Sequence, residues 1–413
     1  MIVWIDAANF EPDLLVFGMN AIERHLRAIR QQRLQPTAIR IDGGARTLAL
    51  AGLRLPAALL DGAPIEIVST GGAVGQRLAG WLATAGTGPV LCLSGDSILD
   101  PRVLRHMSQA PGSTAMREGD VAAIWISDAD RPRIPGEAAS LAALAAALPG
   151  CTPITEANFG GFIRKLRRNL APYILPLRAS PERDAAERFL FRSNYKGSTD
   201  LFTKYVYPPL VWRMVRPLAA ARIHPNWVTL LSIVMTLAAV PCFAYGYFWT
   251  GFALAYGMSV LDSVDGKLAR LTFTDSNLGN LLDHGLDLVH PPLWYAAWAI
   301  GLAGGDLHSP LMIAGGILIL IYVCDRLVLK IYSVRFQRGL HTHAPVDAFL
   351  RSFIARRNIN LPLFTIGYAL GYGEAAFYAV VAWQAATLAY HTVRVAWIFL
   401  VEKAVPGDRA PAG

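Results

Sequence analysis

The first half of the chain alternates short apolar runs with longer amphipathic stretches. The short runs are rich in β-branched residues, as strands are; they are 2–7, 37–42, 65–69, 89–96 and 121–128. Stretches such as 21–32, 75–85 and 137–148 have the apolar spacing of helices that bury one face. Strands that alternate with helices pair in parallel through right-handed crossovers. Residues 1–180 are therefore predicted to form a Rossmann-like α/β domain.

The second half changes character, because long apolar runs replace the short ones after residue 226. Each run approaches the ~20 residues that a helix needs to cross a bilayer. The six candidate spans are 227–247, 249–268, 282–303, 309–331, 359–374 and 376–401. We expect residues 227–402 to form an all-α bundle of six transmembrane helices. Residues 181–226 are predicted to be a polar linker that ends in an interfacial helix, and residues 403–413 a tail.

The formal net charge of the chain is +8, and the basic residues are concentrated in particular connections. The connections at 246–250, 302–309 and 371–375 contain no Lys or Arg, whereas 331–357 contains several. Under the positive-inside rule, this asymmetry places both termini and the α/β domain in the cytoplasm, with the bundle in the inner or plasma membrane. No block of Lys and Arg is interleaved with aromatic residues, so a nucleic-acid groove is not predicted.

Four aspartates stand at regular spacing where the second and third apolar runs meet. Asp262 and Asp265 are three residues apart, and Asp283 and Asp287 are four apart, so each pair lies on one face of its helix. Four carboxylates in apolar helices repel one another and are costly to desolvate, and bound cations offset that cost. Oxygen ligands alone favour Mg²⁺ or Mn²⁺ over zinc. We therefore predict a site for two divalent ions that binds pyrophosphate and supports phosphoryl transfer.

These aspartates belong to a longer pattern, Asp-x2-Asp-Gly-x2-Ala-Arg-x8-Gly-x3-Asp-x3-Asp, which begins at Asp262. The pattern resembles the signature of the CDP-alcohol phosphotransferase (CDP-alcohol phosphatidyltransferase) family. The resemblance covers residues 199–402 and includes a Pro-Asn-x2-Thr sequence at 225–229. It implies a six-helix membrane fold. It also implies transfer of a phospho-alcohol group from a CDP-alcohol to a hydroxyl, with release of CMP.

The resemblance also implies a role for each motif residue. The metal ligands would be Asp262, Asp265, Asp283 and Asp287. Asp287 would be either a further ligand or the general base that takes the proton of the acceptor hydroxyl. The cytidine diphosphate site would be lined by Gly266, Ala269, Arg270 and Gly279.

A basic connection precedes the fifth apolar run. Topology alone explains its arginines, and so does an acceptor pocket for a phosphate or polyol, since Arg recognises phosphate. The candidate acceptor-binding residues are Arg335, Arg338, Arg356 and Arg357. Relatives often have Arg-Asp at the start of this run, and this chain has Arg357-Asn358 instead.

The α/β domain carries a second resemblance. Residues 93–96, Leu-Ser-Gly-Asp, are similar to the segment in which sugar-phosphate nucleotidyltransferases place a metal-binding aspartate. The junction at 186–200 is similar to that of archaeal bifunctional inositol-phosphate cytidylyltransferase / di-inositol-phosphate phosphate synthases. Such enzymes hold a triphosphate on backbone amides of a glycine-rich loop. Here the loop after the first strand runs from Asp6 to Pro12 without glycine or Lys, so the nucleotidyltransferase-like domain is expected to be inactive.

The leading hypothesis is a membrane CDP-alcohol phosphotransferase with an appended, inactive nucleotidyltransferase-like domain. The donor is left open between CDP-diacylglycerol and a soluble CDP-polyol such as CDP-inositol, and the acceptor between a lipid hydroxyl and a polyol phosphate. One rival is a bifunctional enzyme that also makes its donor from CTP. Another is a membrane-anchored module that binds a nucleotide or a partner, and the complete set of aspartates argues against it. The lipid bilayer is the expected environment, and pairing into a homodimer is left open.

Overall fold

The computed structural model describes residues 1–45, 62–159, 162–163, 166–275 and 277–401. The side chains of residues 162, 277–284, 286 and 287 lie outside this description, as does the predicted tail at 403–413. The chain divides into two compact units. The first comprises Met1–Tyr195 with Leu218–Arg222 and Arg270–Phe273, and the second comprises Lys196–Pro217, Ile223–Ala269 and the residues from Thr274 onward.

The first unit is an α/β domain. Its strands are β1 (Ile2–Asp6), β2 (Ala38–Asp42), β3 (Ile65–Val68), β4 (Val90–Ser94), β5 (Ser97–Leu99), β6 (Thr114–Glu118), β7 (Val121–Ile126), β8 (Thr152–Pro153), β9 (Phe162–Ile163), β10 (Arg168–Asn169) and β11 (Ile174–Pro176). Its helices are α1 (Ala21–Gln31), α2 (Val74–Leu82), α3 (Pro101–Ser108), α4 (Leu141–Ala147) and α5 (Ser180–Ser193). In the described part, seven strands form one sheet in the order β3-β2-β1-β4-β7-β6-β8. The predicted α/β class is confirmed.

Successive side chains of β1 point to opposite faces of the sheet, as the strand period requires. Val3 and Ile5 are buried in a cluster that α1 and α3 complete, while Ile2 and Trp4 are buried in a second cluster with α2 and α4. Helices therefore cover both faces of the sheet. The parallel register pairs Asp6 with Asp42 on β2 and with Ser94 on β4, so these three residues share one edge.

The prediction of parallel pairing is wrong for strand β7. Strand β7 pairs antiparallel with both β4 and β6. A two-residue turn, Gly119-Asp120, joins β6 to β7, and Gly119 has a φ of +56°, the positive φ that short hairpin turns need. The apolar pattern identified β7 as a strand, but the pattern of a buried strand carries no information about its direction.

The C-terminal part of the chain is helical, as predicted. Its helices are α6 (Tyr207–Ala220), α7 (Pro225–Ala244), α8 (Phe248–Thr272), α9 (Asn277–Leu302), α10 (Pro310–Phe336), α11 (Pro345–Leu350), α12 (Arg357–Ala369) and α13 (Gly373–Leu400). Among the described residues, two helices, α7 and α10, are long and apolar enough by length and composition to cross a membrane. Helix α12, in the predicted fifth span, has 13 residues.

Aromatic side chains hold the helices of the second unit together. Phe243 on α7 packs against Phe252 on α8 with ring centroids 5.5 Å apart, and Trp298 on α9 packs against Phe364 on α12 at 4.5 Å. Such pairs contribute about 0.5–1.5 kcal/mol each beyond the area they bury. The indole N–H of Trp294 also donates to the Thr236 carbonyl at 3.1 Å. Helix α7 is thereby fixed against α8 and α9, the two helices that carry the aspartates.

Candidate functional site

Helix α8 places two of the four aspartates on one face. Asp262 and Asp265 lie in its last three turns, and the three-residue spacing brings their carboxylates to the same side. Asp265 is 5% exposed, and the side chain of Asp262 is 20% exposed. One carboxylate is therefore buried in the helix packing, while the other retains access to solvent.

A threonine of α7 orients the buried carboxylate. Pro225 occupies the first turn of α7, where its missing N–H costs nothing, and Thr229 follows one turn later. The Thr229 hydroxyl donates to Oδ2 of Asp265 at 2.6 Å, and the backbone N–H of Gly266 donates to Oδ1 at 2.5 Å. Both oxygens of Asp265 are thus held in fixed directions. Sequence reasoning noted the Pro-Asn-x2-Thr spacing but gave Thr229 no role.

An arginine at the start of α12 reaches the more exposed carboxylate. The Nη2 group of Arg357 donates to Oδ2 of Asp262 at 2.6 Å, and its Nη1 group donates to the sulfur of Met258 at 3.1 Å. The Arg357 side chain is 11% exposed. Of the four arginines predicted to bind the acceptor, Arg357 is the one for which the described structure gives a direct contact with a motif aspartate.

The other three predicted acceptor residues have different surroundings. Arg335 is exposed and its guanidinium lies 5.5 Å from the ring centroid of Phe336. Arg338 is also exposed and donates to Nδ1 of His343 at 2.9 Å. Arg356 is half-buried before α12, where its carbonyl accepts from the N–H of Asn360 at 2.7 Å. Their predicted role in acceptor binding stays a prediction.

The second aspartate pair lies on α9. The backbone at Asp283 and Asp287 is helical, and Gly279 lies in the first turn of the same helix. The side chains at these three positions lie outside the described residues. Their predicted roles therefore stay predictions, as does the choice of Asp287 as ligand or base.

The residues predicted to line the cytidine diphosphate site follow Asp265 along α8. Gly266 and Ala269 are half-buried, and Arg270 lies near the end of the helix. The side chain of Lys267, which sequence reasoning passed over, is buried at 3% exposure between these positions. The predicted role of Gly266, Ala269 and Arg270 in binding cytidine diphosphate stays a prediction.

The donor set fits a hard divalent cation in its chemistry. Asp262 and Asp265 offer oxygen atoms alone, and Mg²⁺ and Mn²⁺ prefer carboxylate ligands. Within the ranges whose side chains are described, no group of three or more His, Cys, Asp or Glu side chains could hold a metal ion. Two carboxylates on α8 are therefore in place, and any further ligands would come from α9.

The α/β domain has a carboxylate cluster of its own, at the edge where β1, β2 and β4 end. Arg77 of α2 lies between Asp6 and Asp42, with its nitrogens 2.8 Å and 3.1 Å from the two carboxylates. Burial acts to lower the pKa of Arg77, but attraction and hydrogen bonding from Asp6 and Asp42 outweigh burial and raise it. One guanidinium, itself only 3% exposed, therefore serves as the shared counter-ion of both carboxylates.

Asp96, the predicted metal-binding aspartate of this domain, is also paired. Gly95 precedes it at a point where a Cβ atom would lie 2.8 Å from the Asp6 carbonyl oxygen, so only glycine fits there. The Nε of Arg178 donates to Oδ2 of Asp96 at 2.6 Å, and this hydrogen bond is the main cause of a raised pKa for Arg178. No sequence signal linked Arg77 or Arg178 to these aspartates.

Comparison with known proteins shows a family model that is similar to the region of the motif. The model of the CDP-alcohol phosphatidyltransferase family matches residues 222–389. The archaetidylinositol phosphate synthase of Aeropyrum pernix is 36% identical over 98 residues, which are 23% of this chain and 48% of that protein. The bifunctional IPC transferase and DIPP synthase of Thermococcus kodakarensis is 26% identical over 145 residues, 30% of this chain and 32% of that protein.

A solved structure described as a glucose-1-phosphate thymidylyltransferase from Bacillus anthracis covers 46% of this chain and 94% of its own, with 12% identity and a TM-score of 0.31. Similarity at that level assigns no chemistry. The chain spans between 24% and 59% of the length of the curated relatives that it matches. The match to the CDP-alcohol phosphatidyltransferase family model spans residues 222–389 and includes Thr229 and both aspartates of α8, in agreement with the resemblance of the motif.

Proposed function

We propose that this protein transfers a phospho-alcohol group from a CDP-alcohol to a hydroxyl acceptor and releases CMP. The observation that carries the proposal is the meeting of three helices at one motif. Thr229 on α7 holds Asp265, and Arg357 on α12 holds Asp262. A carboxylate pair with an arginine beside it suits a substrate that carries phosphates and a cation together.

In the proposed reaction, the acceptor oxygen forms a bond to the β-phosphorus of the donor. The bond between that phosphorus and the bridging oxygen breaks, and CMP leaves with the bridging oxygen and the electron pair. The acceptor proton passes to a carboxylate, for which we propose Asp287. One hydrogen bond from Thr229 and one from the Gly266 N–H hold Asp265 before substrate arrives, so little reorganisation is needed during the reaction.

We propose that Mg²⁺ or Mn²⁺, in a pair of ions, is held by Asp262, Asp265 and Asp283, with Asp287 as a further ligand in the alternative that it is not the base. When bound, such ions supply neutralisation of the charge that develops on the phosphates and the leaving CMP. Arg357 would attract the phosphates of a substrate, and its position on α12 keeps it beside Asp262. Gly266, Ala269, Arg270 and Gly279 would line the cytidine diphosphate site.

We propose the chemical class of each substrate. The donor is a CDP-alcohol, either CDP-diacylglycerol or a soluble CDP-polyol, and the acceptor is a lipid hydroxyl or a polyol phosphate. Purified protein offered a panel of CDP-alcohols and acceptors should form one phosphodiester product, identified by mass spectrometry, together with an equal amount of CMP. Asp262→Asn should form neither, whereas Asp306→Asn, at an exposed aspartate outside the motif, should behave as wild type. Absence of CMP release with every pair would reject the function.

We propose six membrane spans with both termini in the cytoplasm. The apolar helices α7 and α10 support the membrane location, and the basic connection at 331–357 supports the orientation. Cysteines introduced at Gly304 and Gly373 should react with an impermeant reagent outside the cell, and one at Gln337 should not. External labelling at Gln337 would overturn the orientation.

We propose that the α/β domain does not make the CDP-alcohol. One supporting observation is that the Arg77 guanidinium, 3% exposed, lies between Asp6 and Asp42. A metal ion bound by Asp6 and Asp42 would have to displace that buried guanidinium, and the loop after β1 offers no glycine-borne amide for a triphosphate. The rival bifunctional activity requires that displacement.

A further inference from the structure

The second unit contains a buried carboxylate that the proposed mechanism does not use. Asp200 is 6% exposed and precedes the short π-helical turn at Phe202–Val206 that leads into α6. Its carboxylate accepts from the backbone N–H and the hydroxyl of Thr203, at 2.9 Å and 2.8 Å, and from the amide of Asn358. Buried carboxylates are costly unless they are compensated, and these donors are all neutral groups.

The Asn358 side chain connects this carboxylate to Arg357. Its Nδ2 group lies 3.2 Å from Oδ2 of Asp200, and its Oδ1 accepts from Nε of Arg357 at 3.3 Å and from the Tyr207 hydroxyl at 3.4 Å. The carboxylate can only accept and the guanidinium can only donate, which fixes the direction of the amide between them. Asn358 thus joins a negative group to a positive one through an oriented dipole.

The same arginine ends at the transfer site. Nε of Arg357 faces Asn358, while Nη2 faces Asp262 at 2.6 Å. Asp200, Asn358, Arg357 and Asp262 therefore form one continuous chain of hydrogen bonds, and charged chains of this kind polarise each link. A backbone hydrogen bond from Leu201 to the Ser352 carbonyl, at 3.2 Å, ties the same two segments together a second time.

We propose that Asp200 is a positioning residue for the transfer reaction, which acts through Asn358 to hold Arg357 at Asp262. This inference rests on the proposed function of the site. In this proposal a negative charge helps to hold Arg357 whether it is carried at position 200, acting through the amide of residue 358, or at position 358 itself. Replacing a residue that orients a metal ligand through hydrogen bonds typically lowers activity about 10- to 100-fold. Asp200 would act in this way on the proposed ligand Asp262, through Asn358 and Arg357.

The first test is the isosteric change Asp200→Asn, combined in a cycle with Arg357→Gln. Asp200→Asn should lower kcat/KM about 10- to 100-fold, and the double variant should be no worse than Arg357→Gln alone, because both changes remove the same interaction. The exchange Asp200→Asn with Asn358→Asp returns a carboxylate next to Arg357. It should recover kcat/KM to within about threefold of wild type.

A stability measurement separates positioning from folding. Asp347 is a matched control, because it is fully buried and hydrogen-bonded to Tyr390 and Arg394. Asp347→Asn should lower the Tm without changing kcat/KM. Asp200→Asn should lower kcat/KM, and its Tm should fall less than that of Asp347→Asn. Unchanged kcat/KM in Asp200→Asn, additive losses with Arg357→Gln, or no recovery in the exchange variant would overturn the proposal. If wild type lacks transferase activity, the proposed function fails first, and non-additive Tm changes at positions 200 and 357 would still measure their coupling.

Discussion

The two compact units each gather aspartates at the ends of their elements, but they neutralise them differently. At the edge of the sheet, Arg77 is 3% exposed and is closed between Asp6 and a fully buried Asp42. At α8, Asp265 is oriented by a hydroxyl and a backbone N–H, and the pair between Arg357 and Asp262 is 11% and 20% exposed. In the first set one buried guanidinium is shared by two carboxylates, whereas in the second Asp262 retains partial access to solvent.

This difference indicates how aspartates contribute to stability in one unit and to the proposed chemistry in the other. Breaking a buried pair by removing one partner is expensive, because the remaining charge is left in a low-dielectric interior. At α8, a hydroxyl and a backbone N–H orient Asp265, and donors of this kind fix a carboxylate without adding a counter-charge. The surrounding groups, more than the aspartates themselves, therefore separate a structural site from a reactive one.

The largest expected effect is at α8. Asp262→Asn or Asp283→Asn should reduce transfer by about a thousandfold or more, since each removes a proposed ligand of the ions that stabilise the transferred group. EDTA should do the same to wild type, and added Mn²⁺ should restore it. Product formation is measured by release of CMP. Full activity in EDTA would remove the distinction between the two sets of aspartates.

Removing the sealed guanidinium should instead cost stability. Arg77→Ala leaves Asp6 and Asp42 without their shared partner, so we expect a loss of about 3 kcal/mol in the unfolding free energy of the α/β domain. Arg183→Ala is the matched control, because the side chains of its pair with Asp184 are 33% and 41% exposed and such a pair should be worth at most about 1 kcal/mol. Chemical denaturation of the purified chain measures both. Equal losses would show that burial does not separate the pairs.

The α/β domain should also lose stability in acid through one histidine. Burial lowers the pKa of His25 to about 4, and its Nε2–H donates to the Ser94 carbonyl at 3.0 Å. The unfolded chain, with a histidine pKa near its usual value, binds more protons between pH 6.5 and 4, so stability falls as the pH is lowered through that window. We expect a loss on the order of 3 kcal/mol. Hydrogen exchange in β4 measures it, and His25→Gln should remove most of this pH dependence.

The smallest expected effect is at Asp96. Asp96→Ala should leave transfer from a supplied CDP-alcohol within about twofold of wild type, in line with a change away from the reacting groups. Neither protein should release pyrophosphate from CTP with an alcohol phosphate. Pyrophosphate release that disappears in Asp96→Ala would show that Arg178 yields its place to a metal ion, and would favour the bifunctional enzyme.

Local spacing was enough to predict much of this molecule. The strands at β1 to β4 and β7 follow from short β-branched runs, and the positions of Asp262 and Asp265 on one face of α8 follow from a three-residue spacing. The hairpin of β6 and β7 was missed although Gly119-Asp120 is a two-residue turn signal. The apolar run of β7 predicts a strand, but only the Gly119-Asp120 turn before it indicates that this strand is antiparallel to β6.

Partners that are distant in the chain could not be predicted. Arg77 lies 71 residues from Asp6, and Arg178 lies 82 residues from Asp96. Which of several arginines approaches a carboxylate depends on the packing of whole elements, and a single sequence offers many equivalent candidates. The same limit applies to Asn358, whose amide contacts a carboxylate 158 residues earlier.

That separation has a consequence for how the protein is made. Asp200 and Asn358 can be joined only after the 158 residues that follow Asp200, up to Asn358 itself, have been synthesised. At about 5–20 residues per second, this interval is roughly 8–30 s. During that time the N-terminal domain emerges from the ribosome, and Asp200 lacks the amide of Asn358 that contacts it in the folded protein. Any release of the nascent chain before α12 emerges would yield a protein with a folded first domain, an intact aspartate motif and no hydrogen-bonded connection between Asp200 and Asp262.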